Sequence, residues 1–226
     1  MPRAIIAPDE YYHIFNRGVN KQSVFLDKAD YARMLFVLMT TQSLIPLYNV
    51  GRNTQTLLKT GGLNLSSAAV KKNLKDRVVE LVAFALMPNH FHFIVKELEE
   101  GGTSSYLQRI EIAYTKYFNA KYRRSGYLFQ GPFQSVHVSS NEQLLHLSAY
   151  IHKNPAELSR WKHKEDLYPW SSYQDFVGEN RWGKLLIPEI VRNQFDNPGD
   201  YLNFVKISGA KERLDQEISI DSSDQT

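Results

Sequence analysis

Residues 78 to 97, VVELVAFALMPNHFHFIVKE, are the stretch that most restricts what this chain can fold into. Two runs rich in apolar and β-branched side chains flank Pro88 and Asn89, which predicts two strands joined by a short turn. Side chains alternate faces along a strand, so His90 and His92 point one way while Phe91 and Phe93 point the other. A strand with the composition of a core element thus directs two imidazoles at one spot. Taken alone, the pair has two readings: hydrogen-bonded or half-exposed strand histidines, or metal ligands.

The segments on either side supply the rest of a sheet. YYHIFNRGV, Tyr11 to Val19, is aromatic and β-branched and reads as a strand. DKADYARMLFVLMTTQ then sets Tyr31, Met34, Leu35 and Leu38 at helical spacing behind an Asp27 cap. TSSYLQRIEIAYTKYFNAKY is a second long helix, ended by a turn at Ser125 and Gly126, and FQSVHV is a fourth strand. The order strand, helix, strand, strand, helix, strand predicts an α+β fold, a ferredoxin-like βαββαβ sheet with helices on one face. A polar stretch at about 46–78 is too long for a plain connection and reads as an insertion, functional or mobile.

Composition excludes several classes of function. With no cysteine among 226 residues, disulfides, thiolate metal sites and cysteine nucleophiles are out, and a reducing compartment is the natural home. The start of the chain lacks the pattern of a signal peptide, and no apolar run reaches the length of a membrane span. The expectation is a cytoplasmic protein with no membrane partner. Charge is uneven: six basic residues against one acid from Pro46 to Val78, five against one from Arg109 to Arg124, but seven acids against three bases from Asp196 onward. The two basic stretches suit a polyanion, or are solvated faces; the last dozen residues read as a disordered acidic tail.

After the fourth strand, SSNEQLLHLSAYIHKNPAEL carries a capping box, Ser140 with Gln143, and an apolar stripe of Leu144, Leu147 and Ile151. Pro155 disfavours continuation, which puts Asn154 on the last turn. His146, Tyr150 and Asn154, four apart, share a second stripe. In isolation this is a tyrosine at the core edge and an asparagine at a helix end.

Four stretches in order, PNHFH, YFN, GYLFQG and YIHKNP, resemble the single-tyrosine HUH transposases, the IS200-like group with the REP-associated tyrosine transposases. The resemblance spans residues 9–175, leaving 176–226 as a C-terminal extension that ends in the acidic tail. It implies that His90, His92 and Asn154 hold a metal, that Tyr150 on a C-terminal catalytic-tyrosine helix is the nucleophile, and that the protein works as a homodimer on single-stranded DNA beside a hairpin. Where the family often carries basic residues, this chain reads FQGPFQ, Phe129 to Gln134, without them.

The chemistry sorts the donors. Cleaving a phosphodiester with a side-chain oxygen needs in-line attack, stabilised charge on the non-bridging oxygens and a leaving hydroxyl; a divalent cation serves the first two. Two imidazoles and an amide oxygen leave open positions, which suits Mg²⁺ or Mn²⁺ better than structural zinc. The product expected is a 5′-phosphotyrosine on Tyr150 with a free 3′-hydroxyl. Among rival tyrosines, Tyr114 and Tyr117 read as core packing, and Tyr127 as a loop residue able to stack on a base. His146 and His152 read as solvated helix residues. Arg17, Arg109, Lys116, Lys121, Arg123 and Arg124 are the candidate DNA contacts. Two other readings stay open: a non-catalytic, domesticated nucleic-acid hairpin-binding protein, and a metal phosphodiesterase that uses water, which predicts no covalent adduct.

Overall fold

A computed structural model describes residues 6–209. Its sheet has four antiparallel strands, β1 (Tyr11–Arg17), β2 (Val79–Met87), β3 (His90–Glu97) and β4 (Gln134–Val138), in the spatial order β2-β3-β1-β4. That is the ferredoxin-like arrangement, with the β2–β3 hairpin turning at Pro88 and Asn89 as expected.

Alternation along the strands divides the sheet into two faces. Phe91, Phe93 and Val95 share one face with Phe84 and Leu86 of β2 and Ile14 of β1, and all are buried in the larger core. Two helices cover it, α1 (Lys28–Thr40) and, later in the chain, a helix over Gly102–Lys121. Asp27 caps α1, its carboxylate accepting from the Ala29 and Asp30 amides, while Asp30 reaches back to the cap residue.

The stretch read as an insertion is mostly helical: α2 (Val50–Thr60) and α3 (Ala68–Lys75). Leu57 and Val70 are buried in the same core, and Asn73 ties α3 to the end of α1, accepting from the Ser43 amide and donating to the Met39 carbonyl. With α2 and α3 counted, the long helix over Gly102–Lys121 is α4. Its N-terminus is served from a distance: the buried Glu97 accepts from the Gly102 and Thr103 amides at 3.0 and 2.7 Å. Glycine is required at 102, because a Cβ there would lie 2.5 Å from the Val78 carbonyl oxygen.

The other face bears His90, His92 and Ile94, with Ala83 and Ala85 beside them on β2. It is covered by α5 (Asn141–Lys153) and the C-terminal helices α6 (Tyr173–Val177), α7 (Glu189–Arg192) and α8 (Pro198–Ile207). Ser140 caps α5 by accepting from the Gln143 amide, but Gln143 returns its oxygen to the amide of Ser139, so the reciprocal box is displaced by one residue. The region after residue 158 also closes the outer edge of β2, with hydrogen bonds from Leu86 N to Trp170 O, Ser172 N to Phe84 O and Ile187 N to Leu81 O. The expected acidic tail lies outside the described residues. None of the helices described is long and apolar enough to cross a membrane.

Candidate active site

The site forms where α5 crosses the histidine face of β3. Pro155 ends the helix at Lys153, and Asn154 follows on a short 3-10 turn, buried against the sheet. The alanines at 83 and 85 leave room above the sheet beside His92, and Tyr150 packs there, only 3% exposed. Its ring meets His92 edge-on with centroids 5.3 Å apart. The tyrosine, the two histidines and Asn154 therefore come together within one chain.

Two amides flank the ring of His90. Asn89 donates through Nδ2 to the Lys21 carbonyl at 3.2 Å, so its Oδ1 is the atom that lies 2.7 Å from His90 Nδ1. An amide oxygen only accepts, so the neutral ring carries its proton on Nδ1 and a lone pair on Nε2. Asn154 is oriented in the same way, donating through Nδ2 to the Tyr150 carbonyl at 2.9 Å. Its Oδ1 then lies 3.5 Å from His90 Nε2. His90 Nε2 and Asn154 Oδ1 thus meet at the intersection of β3 and α5. That arrangement fits a cation, and the donors available to one are two imidazoles and an amide oxygen. Among the described residues no group of three or more His, Cys, Asp or Glu side chains is placed to hold a metal.

A third histidine, which sequence reasoning left unassigned, belongs to the cluster. His13 of β1 stands opposite Ile94 in the strand register and reaches diagonally to His92, its Nε2 2.9 Å from His92 Nδ1. The two rings are near parallel, with centroids 5.1 Å apart, and His13 also meets Tyr150 edge-on at 5.9 Å. Burial pushes the His13 pKa down to about 3, so the ring is neutral at physiological pH. The signal was present in the sequence: His13 sits at an alternate position of an aromatic strand, but only the pairing of β1 with β3 shows which face that is.

The rival side chains are accounted for. Tyr114 is buried on the opposite face of the sheet and donates to the Val24 carbonyl, while Tyr117 donates to Asp30 and has its pKa pushed up to about 12, chiefly by burial. Both are packing residues, as expected. Tyr127 is 87% exposed in the loop before β4. His152 is not solvated as expected: it points away from the site and is fully buried between Tyr201 and Ser172. The helical repeat places residues 150 and 152 on opposite sides of α5, and the C-terminal helices cover the second side. His146, half-buried, turns to α8 near Phe204 and Ser208.

The basic residues do not gather as the sequence grouping suggested. Arg17 is exposed and lies directly opposite His90 in the β1–β3 register. Arg109, Lys116 and Lys121 are on α4, across the sheet from the histidines. Arg109 donates to the Ser43 and Ile45 carbonyls, and Lys121 is paired with Asp27 and Asp30. Arg124 donates to Gln22 and to the Tyr127 carbonyl, and Arg123 is exposed with a left-handed backbone.

Comparisons with known proteins bear on the fold and on part of the chain. Residues 50–154 match the family model described as "Transposase IS200 like", a span that holds His90, His92 and Tyr150 and ends on Asn154. A solved structure of a REP-associated tyrosine transposase bound to a REP hairpin superposes with a TM-score of 0.54 at 17% identity, over 80% of this chain and 87% of that one, which shows a shared fold. No curated protein sequence matches. With the four motif residues brought together on the fold the motifs implied, residues 50–154 of the chain are similar to the IS200-like transposases.

Proposed function

We propose that this chain is a metal-dependent endonuclease and strand transferase for single-stranded DNA that works through a covalent 5′-phosphotyrosine on Tyr150. The observation that carries the reading is the convergence of Tyr150 with His92 and, one helical turn on, of Asn154 with His90. Nucleophile and candidate ligands are positioned by the same pair of elements, α5 and β3.

A divalent cation held by His90, His92 and Asn154, Mg²⁺ or Mn²⁺, would offset charge developing on the scissile phosphate. The protein's own part is positional. Packing of Tyr150 against the imidazoles restricts its ring before substrate arrives, which removes part of the entropic cost of in-line attack. The phenolic oxygen forms the bond to phosphorus and releases its proton, the bond to the 3′ oxygen breaks, and that oxygen takes a proton to leave as a hydroxyl. Attack by a 3′-hydroxyl on the phosphotyrosine runs the same exchange backwards, so strands are joined without a nucleotide cofactor. Arg17, exposed opposite His90, is the first candidate for a DNA phosphate contact. We extend the reading to a hairpin substrate and a homodimer, in keeping with the hairpin bound by the transposase of similar fold.

The test is incubation with labelled single-stranded hairpin DNA and Mn²⁺ or Mg²⁺, followed by a denaturing gel. A protein–DNA adduct is expected with the wild type and absent from Tyr150→Phe and His90→Ala. Cleavage that survives Tyr150→Phe without any adduct would assign the attack to water, and tight binding with neither product would favour a hairpin-binding protein.

A further inference from the structure

We propose that His13 is a positioning residue for His92, accepting the His92 Nδ1–H at its own Nε2 and so holding His92 in the tautomer whose Nε2 can ligate a divalent cation. The inference rests on the metal reading of the site and adds a residue outside the span matched by the family model.

The 2.9 Å approach of His13 Nε2 to His92 Nδ1 has two neutral solutions that form a hydrogen bond. In one, His13 donates and His92 accepts. The proton of a neutral His92 must then sit on Nε2, and neither of its nitrogens has a lone pair left for a cation. In the other, His92 donates from Nδ1, its Nε2 carries the lone pair, and His13 keeps its own proton on Nδ1. Ligation by His92 requires the second. His90 is held in the equivalent state by Asn89, whose amide oxygen can only accept. Each candidate ligand therefore has an acceptor at Nδ1, one from the hairpin turn and one from the neighbouring strand.

The position of His13 suits this role. It is 3% exposed, packed against Phe15 at 4.9 Å and met edge to edge by the near-parallel ring of His92, so its ring has little freedom to turn away. It also touches the Tyr150 ring edge-on, and one imidazole thus braces both the ligand and the nucleophile. Partners of this kind are worth roughly ten- to a hundredfold in metal affinity.

Two readouts besides activity test the proposal. Long-range ¹⁵N–¹H correlation spectra of the metal-free protein report which nitrogen of His92 bears the proton, and titration followed by the electron paramagnetic resonance signal of free Mn²⁺ reports affinity. The wild type is expected to show His92 protonated on Nδ1. His13→Phe, which keeps a flat ring without an acceptor, is expected to mix the His92 tautomers and weaken Mn²⁺ binding by about ten- to a hundredfold; His13→Gln, with an amide oxygen to accept, should recover much of it. A wild-type His92 protonated on Nε2, or equal Mn²⁺ affinity in wild type and His13→Phe, overturns the proposal. The wild-type spectrum needs no variant, so the question is decided even if His13→Phe does not fold. Absence of Mn²⁺ binding by the wild type would remove the metal reading of the whole site and this proposal with it, whereas equal binding by the variant removes this proposal alone.

Discussion

Replacing His152 by phenylalanine separates the mounting of the tyrosine helix from its chemistry. His152 is fully buried between the two elements it joins: Nδ1 lies 2.6 Å from the Tyr201 hydroxyl of α8 and Nε2 lies 2.8 Å from the Ser172 hydroxyl. Its ring stacks on Tyr173 at 4.9 Å and 6°, a contact a phenyl ring keeps. Neither hydroxyl is stranded by the change, because Tyr201 still reaches Ser148 and Ser172 still bonds the backbone of Phe84. Loss of two neutral hydrogen bonds then costs about 2 kcal/mol at pH 7.5. Burial pushes the His152 pKa down from 6.5 to about 3. A histidine depressed on folding contributes stability that is complete above the unfolded pKa and is lost as pH falls below it, because the unfolded chain takes the proton first. At pH 5 that linkage removes about 2 kcal/mol from the wild type and nothing from His152→Phe. Urea denaturation of both proteins at pH 7.5, 6 and 5 should therefore show the gap between them closing as acid is added. Parallel stability profiles across that range would refute the buried neutral histidine.

Arg17→Ala should weaken binding of single-stranded DNA and flatten its logarithmic salt dependence by about 0.7, while Lys116→Ala, across the sheet from the site, should change neither; fluorescence anisotropy at several salt concentrations measures both. Gly102→Ala should destabilise the fold by roughly 1–3 kcal/mol through collision with the Val78 backbone, read as a lower urea midpoint with an unchanged slope.

Much of the fold was legible because local signals agreed with one another. The aromatic strand at 11, the Asp27 cap, the Pro88–Asn89 turn and the Ser140 cap each marked an element within a residue or two of where it lies. The segment at 46–78 was harder: its apolar positions are sparse, and α2 and α3 are held by a few anchors such as Leu57, Val70 and Asn73. At the site, His90 and His92 were readable from strand alternation, and Tyr150 and Asn154 from helical spacing together with family resemblance. His13 was not, since its neighbour lies 79 residues away in the chain. Cross-strand register is a long-range property that no local pattern reports. The same limit misplaced His152, whose burial depends on helices that follow it, and grouped Arg17 with α4 residues that the sheet separates from it.

The alternation of phenylalanine and histidine along β3 also bears on how the protein folds. Sliding β3 by a single residue against its neighbours would drive both imidazoles into the core under α1 and α4 and turn Phe91 and Phe93 toward Tyr150. Such a misaligned hairpin buries two polar rings without partners and strips the larger core of its stacked phenyl pair. The penalty falls on both faces at once, so the shifted pairing is a poor kinetic trap. Correct alignment of the hairpin and assembly of the histidine pair are therefore one event, completed when the sheet forms.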